Sequence, residues 1–190
     1  MSCRYLYIYL ARWERNYEAI QSSINERRSS IQTSRSSDRG VTFHGRGIYL
    51  HTIYGVDGHV RRYIGQAYNV AFRIKQHLDF RYRRDHRSLH YYAMDRSAHD
   101  TFTLLARVTA PSSHPGMQRP DLLLNILEMW CCLLFQTLQP PHLEEYLPPT
   151  WPIWEGTSGL NAALPLDQGD SKAFSGTIEL LRLSTDPLVR

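Results

Sequence analysis

Residues 45–67 read GRGIYLHTIYGVDGHVRRYIGQA. Aromatic and β-branched residues are frequent in 47–54 and again in 60–64, a composition that is typical of β-strands. Between them lies Asp57-Gly58, which suits a tight turn because glycine adopts positive φ at little cost. The stretch therefore predicts two antiparallel strands joined as a hairpin.

A helix is predicted directly after the hairpin. Asn69 is a suitable N-cap, because its side-chain oxygen can accept a hydrogen bond from a free backbone N–H of the first turn. Val70, Ile74 and Leu78 then recur at the spacing of one helix face. The pattern predicts an amphipathic helix that ends near Asp79.

The following forty residues contain one more predicted strand. Residues 80–100 are basic and aromatic without a clear period, and we expect them to be irregular. Residues 101–108 (TFTLLARV) are predicted to form a third strand. Residues 109–119 contain two prolines and one glycine, which predicts a loop.

A second long helix is predicted from Pro120, because proline suits the first turn and Asp121 then lies at the positive end of the helix dipole. Residues 122–135 are apolar on nearly every side, which predicts a helix that is buried all round. Five of the ten prolines fall in 140–152, so an irregular or polyproline-like connection is expected there.

These elements divide the chain into three regions. Strands mixed with segregated helices place residues 43–139 in the α+β class. Residues 1–42 are expected to be an N-terminal extension, with a helix at 5–27 followed by a Ser/Arg-rich linker. Residues 140–190 are expected to be a Pro/Trp-rich C-terminal tail that wraps the domain.

The charge is unevenly distributed along the chain. Residues 61–107 contain ten Lys/Arg and four Asp/Glu, whereas residues 108–190 contain four and nine. Nine of those ten basic residues are Arg, which binds phosphate through paired N–H groups. The basic segment therefore favours a polyanion such as nucleic acid. Charge alone is equally compatible with a solvated basic face.

The cysteine and hydropathy patterns favour an intracellular protein without a membrane span. Cys3, Cys131 and Cys132 form no CxxC pair, which is typical of a reducing compartment. The longest apolar run, 122–135, is too short to cross a bilayer. Neither pattern distinguishes nucleus from cytoplasm, and the oligomeric state is left open.

Glu128 is the residue with the strongest physical argument for chemistry. It is the only charged residue between Asp121 and Glu144, within the apolar helix. A buried carboxylate is costly unless it is neutralised, paired or bound to a metal. Mg²⁺ is commonly held by one carboxylate together with waters and substrate phosphate. The alternative is a carboxylate at an exposed helix edge, or one that is paired with an Arg.

Four further residues are candidates. Arg73 and His77 lie four apart on the first helix and share a face at the border of its apolar stripe. Arg can stabilise a phosphoryl transition state, and His can move a proton. Tyr49 and Tyr63 lie in the two hairpin strands, where neighbouring cations could lower their pKa toward proton transfer. An ordinary polar helix face and ordinary strand aromatics are the alternatives.

Taken together, these residues resemble the GIY-YIG nuclease family. The two tripeptides that give the family its name occur literally at 47–49 and 63–65. The family has an Arg, often with a His one turn later, on the helix after the hairpin, and Arg73 and His77 match. It has a metal-binding Glu on a later buried helix, and Glu128 matches in order. The resemblance covers about 43–139.

The resemblance implies a three-stranded antiparallel sheet flanked by helices, and phosphodiester hydrolysis with a single divalent metal. Glu128 would hold Mg²⁺ or Mn²⁺. Arg73 would bind the phosphoryl oxygens, and Tyr49 would activate the attacking water with help from His77 or Tyr63. The expected substrate is nucleic acid, DNA rather than RNA. The basic and imidazole side chains expected to contact it are Arg61, Arg62, Lys75, Arg81, Arg83, Arg84, His86, Arg87 and His90.

The chain departs from the family pattern in two ways. The family often has an Asn about a dozen residues after the Glu helix, and here only the more distant Asn161 is a candidate. No zinc finger or helix-turn-helix signature accompanies the domain. Two alternatives therefore stay open: an inactive module that binds nucleic acid or protein, and a zinc protein that uses His77, His86 and His90.

Overall fold

The structure is a computed structural model that describes residues 42–108, 118–154, 157–166 and 186–188. The prediction of a helix at 5–27 lies outside these residues, as does most of the loop predicted at 109–119. The elements in chain order are β1 (Arg46–Gly55), β2 (Val60–Ala67), α1 (Val70–Leu78), α2 (Phe80–Asp85), α3 (Leu89–Asp95), β3 (Ser97–Val108), α4 (Pro120–Leu134), α5 (Pro140–Tyr146) and β4 (Thr157–Gly159).

Within the described residues the sheet has four strands, in the order β3-β1-β2-β4. Strand β1 pairs antiparallel with both β2 and β3, and β4 pairs parallel with β2 at Val60–Arg62. The α+β class is confirmed, but the expected three-stranded antiparallel sheet is a four-stranded mixed sheet. The fourth strand was not predicted because TSG is three residues long and has no apolar alternation.

The hairpin and the first helix are confirmed. Gly58 has φ of 80° in the turn between β1 and β2. The Asn69 side chain accepts a hydrogen bond from the Phe72 N–H at 3.1 Å and caps α1. Val70 and Ile74 are buried, as their spacing predicted, while Leu78 is 48% exposed at the helix end.

The expectation that residues 80–100 are irregular is wrong. The segment forms α2 and α3, and β3 begins at Ser97. Asp79 and Ser88 cap the two helices through side-chain hydrogen bonds to the backbone N–H groups of the first turn. The two helices span six and seven residues, too short to show a helical period in the sequence.

The expectation that the second long helix is buried all round is also wrong. Leu122, Ile126 and Trp130 recur every four residues along α4 and are each 47% exposed. Leu124, Glu128 and Cys132 recur at the same spacing and are buried. The helix therefore packs with one face only, although residues on both faces are apolar.

The described part of 140–190 includes a helix and a strand of the sheet. Pro140–Tyr146 is helical, with proline in the first turn, so the expected irregular path begins only after α5. Strand β4 then joins the sheet, and Leu138 forms a parallel bridge with Asn161. Residues near 160 are therefore part of the domain that the sequence placed at 43–139.

The sheet is covered on both faces. Ile48 and Ile64 pack in a cluster with α4 residues Leu124 and Cys132. Tyr49, the next residue along β1, packs with α1 in a second cluster, since alternate strand residues face opposite sides. No helix in the described ranges is long and apolar enough to cross a membrane.

Candidate active site

Four of the five predicted catalytic residues line one cleft. Tyr63 of β2, Arg73 and His77 of α1, and Glu128 of α4 surround a cavity of about 420 Å³. They come from three elements and are separated by up to 65 positions, so only the fold brings them together. A second hollow of about 520 Å³, between Arg46 and Arg107, contains none of the predicted catalytic residues.

The fifth residue, Tyr49, is fully buried behind the cleft wall. Its hydroxyl lies 2.6 Å from Nε2 of His77, and Nδ1 of His77 lies 3.0 Å from the hydroxyl of Tyr91. Both His77 and Tyr91 line the cleft. The structure therefore joins Tyr49 to the cleft through His77.

The electrostatics define the direction of these hydrogen bonds. Burial is the main cause that lowers the pKa of His77 to about 3, and the positive charge of Arg73 contributes to this shift. Burial raises the pKa of Tyr49, with a further rise from Tyr63 and an opposing effect of Arg73. At neutral pH a phenol therefore donates to Nε2 of a neutral His77. Arg73 does lower the pKa of Tyr49 and Tyr63, as expected, but burial raises it more, so the expected net lowering does not occur.

Because Gly65 has no side chain, the Tyr49 ring and hydroxyl can occupy the space beside it. The two residues are cross-strand partners in the β1–β2 hairpin. A Cβ atom on Gly65 would collide with the hydroxyl and ring of Tyr49. The glycine of the second tripeptide therefore allows the tyrosine of the first to reach His77.

Arg73 reaches the cleft from α1. Its Nη1 atom donates to the Tyr82 hydroxyl at 2.9 Å and to Oε1 of Gln76 at 3.2 Å. Its guanidinium also lies 5.7 Å from the centre of the Tyr82 ring. These contacts hold the cation at the cleft. A fixed cation of this kind suits an anionic substrate.

Glu128 is 7% exposed, and its Oε2 atom is buried without a hydrogen-bond partner. Burial raises the pKa of this carboxyl to about 7, against an opposing effect of hydrogen bonds from Gln66. An acceptor oxygen that is buried and unsatisfied is costly, and a cation would satisfy it. Glu128 therefore fits a divalent cation as one of its ligands.

The donor set does not suit zinc. The described residues contain no group of three or more His, Cys, Asp and Glu side chains that could hold a metal ion together. His77, one of the three histidines of the zinc alternative, has both ring nitrogens on tyrosine hydroxyls. A single carboxylate matches the oxygen-rich, partly hydrated coordination of Mg²⁺ better than a closed zinc site.

The residues predicted to contact nucleic acid fall into two groups. One group is exposed on α1, α2 and the connection to α3, beside the cleft: Lys75, Arg81, Arg84, His86 and Arg87. His86 also lines the cleft and stacks on Tyr82 with ring centroids 4.0 Å apart. We refer to these five exposed side chains as the basic surface; they lie on α1, on α2 and in the segment after α2, the part of the chain that also carries the cleft residues Arg73 and Tyr82.

The other group is internal. Arg61 is fully buried. Its Nε and Nη2 atoms donate hydrogen bonds to Asp186, and its Nη1 and Nη2 atoms donate to Asp57, at 2.6 to 3.0 Å. The prediction that Arg61 contacts nucleic acid is therefore wrong. Two acidic partners, one across the hairpin turn and one near the C-terminus, occupy its guanidinium. The sequence could not show the second pairing because it spans 125 positions.

Three other members of the predicted set are also held inside the domain. Arg62 is 6% exposed and lies over the Trp154 ring at 4.2 Å. Arg83 donates to the His77 and Leu78 carbonyls at the end of α1 and to Asp95. His90 is 4% exposed and lines the cleft. None of them presents a free cation on the basic surface.

The sequence did not indicate two residues that contact the cleft network. Nδ1 of His51 lies 2.6 Å from Nε2 of His90, and Nε2 of His51 lies 2.9 Å from Oδ2 of Asp100. The available signal was the strand period, which places His51 on the same face as Tyr49. Asp100 carried no such signal, since it lies on another strand.

Asn161, a weak candidate from the sequence, supports the hairpin. Its Oδ1 accepts from the Ile64 N–H at 2.9 Å, and its Nδ2 donates to the Ile64 carbonyl at 2.8 Å. The side chain therefore continues along β2 the pairing that β4 provides at Val60–Arg62. It also lines the cleft beside Glu128.

Comparisons of the chain with family models, with curated proteins and with solved structures found no match.

Proposed function

We propose that this protein is a divalent-metal-dependent endonuclease that hydrolyses phosphodiester bonds in nucleic acid, with DNA as the expected substrate. The observation that supports this most strongly is the convergence on one cleft of the Tyr49–His77 hydrogen bond, the fixed cation of Arg73 and the unsatisfied Oε2 of Glu128. A hydrolase for an anionic ester needs these three features: a site for water, a cation and a metal ligand.

Glu128 would hold Mg²⁺ or Mn²⁺ through its buried Oε2 atom. The bound ion would neutralise charge on the scissile phosphate and on the leaving oxygen. Because the pKa of Glu128 is raised to about 7, ionisation and cation binding favour each other at this residue. Metal affinity is therefore expected to rise with pH across the neutral range.

Arg73 would bind a non-bridging oxygen of the phosphate. The contacts to Tyr82 and Gln76 hold its guanidinium at the cleft before substrate arrives, so little reorganisation is needed. The hydrogen bond from the buried Tyr49 holds His77 in place, and Nδ1 of His77 contacts the Tyr91 hydroxyl, which lines the cleft. Tyr49 and His77 would in this way orient the attacking water through the Tyr91 hydroxyl.

The basic surface would position the nucleic acid. Its five exposed side chains lie on α1, which also carries Arg73 and His77, on α2, and in the connection that follows α2. Contacts from such side chains to phosphate are independent of sequence and weaken with salt. We therefore expect substrate binding to lose affinity as the salt concentration rises.

The test is cleavage by the purified full chain of supercoiled plasmid, branched DNA and RNA, with Mg²⁺, Mn²⁺ or chelator. Wild type is compared with Arg73→Gln and with the control Arg119→Gln, an exposed Arg directly before α4 that belongs neither to the cleft nor to the basic surface. We expect metal-dependent cleavage that chelator stops, a loss of roughly 100-fold or more in Arg73→Gln, and little change in the control. Binding without cleavage on every substrate would instead support an inactive nucleic-acid-binding module.

A further inference from the structure

Three side chains form a continuous hydrogen-bonded row that ends in the cleft. Asp100 of β3 contacts His51 of β1 at 2.9 Å, and His51 contacts His90 of α3 at 2.6 Å. His51 is fully buried, His90 lines the cleft, and the Asp100 side chain is 16% exposed. The row therefore leads from the cleft, through the domain interior, to a carboxylate that solvent reaches.

Neighbouring rings hold this row in place. Phe102 stacks on His51 with ring centroids 3.8 Å apart, and Tyr63 stacks on His90 at 4.1 Å. Both pairs are within 8° of parallel. The two imidazoles therefore have little freedom to rotate away from each other, so their hydrogen bond is a fixed feature of the site.

The contacts assign the tautomers when both rings are neutral. A carboxylate accepts, so Nε2 of His51 carries the proton that it donates to Asp100. Nδ1 of His51 is then an acceptor, and Nε2 of His90 must donate to it. This leaves Nδ1 of His90 as the basic nitrogen of the row.

We propose that Asp100, His51 and His90 form a proton relay that accepts the proton released in the cleft, an inference that rests on the proposed phosphodiester hydrolysis. When the O–H bond of the attacking water breaks, an N–H bond forms at Nδ1 of His90. The proton on Nε2 of His90 passes to Nδ1 of His51. The positive charge then rests on His51, whose Nε2–H contacts the Asp100 carboxylate.

The surroundings explain why the proton goes to this row and not to His77. The charges of Arg73 and Arg83 lower the pKa of both His77 and His90. His51 lowers the pKa of both in the same way, so these neighbours do not distinguish the two rings. His77 has only tyrosine hydroxyls on its ring nitrogens, whereas His90 is connected through His51 to a carboxylate. The remaining titratable neighbours, Tyr63 and Tyr91, are phenols and do not stabilise an imidazolium by charge.

The test combines two measurements on wild type, Asp100→Asn, Asp100→Glu and the control Asp85→Asn, whose exposed carboxylate pairs with Arg84. Nitrogen NMR of the imidazole rings during a pH titration reports tautomers and protonation without any substrate. The pH dependence of cleavage is recorded at saturating Mg²⁺, so that Glu128 stays ionised. Retention of the fold is checked by circular dichroism.

We expect His90 to carry its proton on Nε2, and His51 and His90 to protonate as one unit. Without the carboxylate the imidazolium loses its partner, so Asp100→Asn should shift this protonation and the acid limb of cleavage to lower pH. Its maximal rate should fall roughly tenfold to a hundredfold, while Asp100→Glu recovers part of the loss and Asp85→Asn is unchanged.

A neutral His90 with its proton on Nδ1 would overturn the relay. So would a loss of rate in Asp100→Asn without a shift of the protonation, since a purely structural role predicts that result. If wild type cleaves no substrate, the nuclease proposal fails. The NMR titration still decides the relay then: joint protonation that depends on Asp100 supports it, and independent protonation of the two rings refutes it.

Discussion

Gly65 lies directly opposite Tyr49 in the β1–β2 hairpin, and the Tyr49 ring occupies the volume that a side chain at position 65 would need. Because of this relationship the Tyr49 hydroxyl can approach Nε2 of His77 to 2.6 Å. The two tripeptides at 47–49 and 63–65 are therefore a single packing unit across two strands. Several consequences can be measured.

Gly65→Ala should displace Tyr49 from His77. The added methyl group collides with a buried ring, so we expect a loss of roughly 1–3 kcal/mol in the free energy of unfolding, together with loss of cleavage. The control is Gly58→Ala, which strains a backbone with φ of 80° but contacts nothing within 4 Å. If the control loses stability and keeps activity while Gly65→Ala loses both, the packing explanation holds. Full activity in Gly65→Ala would contradict it.

Tyr49→Phe should remove the hydrogen bond to His77 while keeping the ring. We expect the cleavage rate to fall by roughly 100-fold or more, because the hydroxyl that holds His77 in its position at the cleft is lost. Stability should fall by only about 1–3 kcal/mol, the cost of leaving a buried acceptor unsatisfied. Tyr68→Phe, at an exposed tyrosine, is the matched control. Equal rates for the two variants under single-turnover conditions would remove Tyr49 from the mechanism.

Asn161→Ala should loosen the hairpin at Ile64. Both backbone groups of Ile64 that Asn161 satisfies are left without this partner, so we expect a destabilisation of roughly 2–4 kcal/mol in urea unfolding. Asn69→Ala removes only a helix cap and should cost about 1 kcal/mol. Hydrogen exchange should show the extra opening at Ile64 in the first variant alone. A cost for Asn161→Ala no greater than that for Asn69→Ala would contradict this role.

Glu128 should make the protein less stable as the pH rises. Its pKa is raised from 4.5 to about 7, so folding favours the protonated form. The free energy of unfolding should therefore fall between about pH 4.5 and 7 by roughly 3 kcal/mol and then level off. Glu128→Gln should lack this component.

Urea unfolding of wild type and Glu128→Gln across this pH range isolates the effect, because all other titrating groups are common to both proteins. At pH 8, Mg²⁺ should stabilise wild type and not the variant, since a ligand that binds only the folded state shifts the equilibrium. Identical pH profiles for the two proteins would show that burial does not raise the pKa of Glu128.

The sequence predicted the parts of the fold that depend on local signals. The hairpin followed from strand composition and Asp57-Gly58, and α1 from Asn69 and its apolar spacing. Its candidate residues Tyr63, Arg73, His77 and Glu128 do line one cleft. These signals act over a few residues, or through a resemblance in residue order, so they were readable without a structure.

The remainder depends on long-range contacts. Strand β4 has no periodicity and exists because β2 offers an edge. The sequence predicted that Arg61 contacts nucleic acid. In the structure its guanidinium donates instead to Asp186, which lies far along the chain. His51 and Asp100 contact the cleft network only because the fold places β1 and β3 next to α3. Exposure of one face of α4 was likewise hidden, because both faces are apolar.

We propose the cleft around Glu128 as a metal-dependent hydrolytic site. The most direct test compares plasmid cleavage by wild type, Glu128→Gln and Glu144→Gln with Mg²⁺ or Mn²⁺, where Glu144 is an exposed residue of α5. We predict that wild type and Glu144→Gln cut at similar rates and that Glu128→Gln does not cut. Cleavage by Glu128→Gln at the wild-type rate would contradict the account.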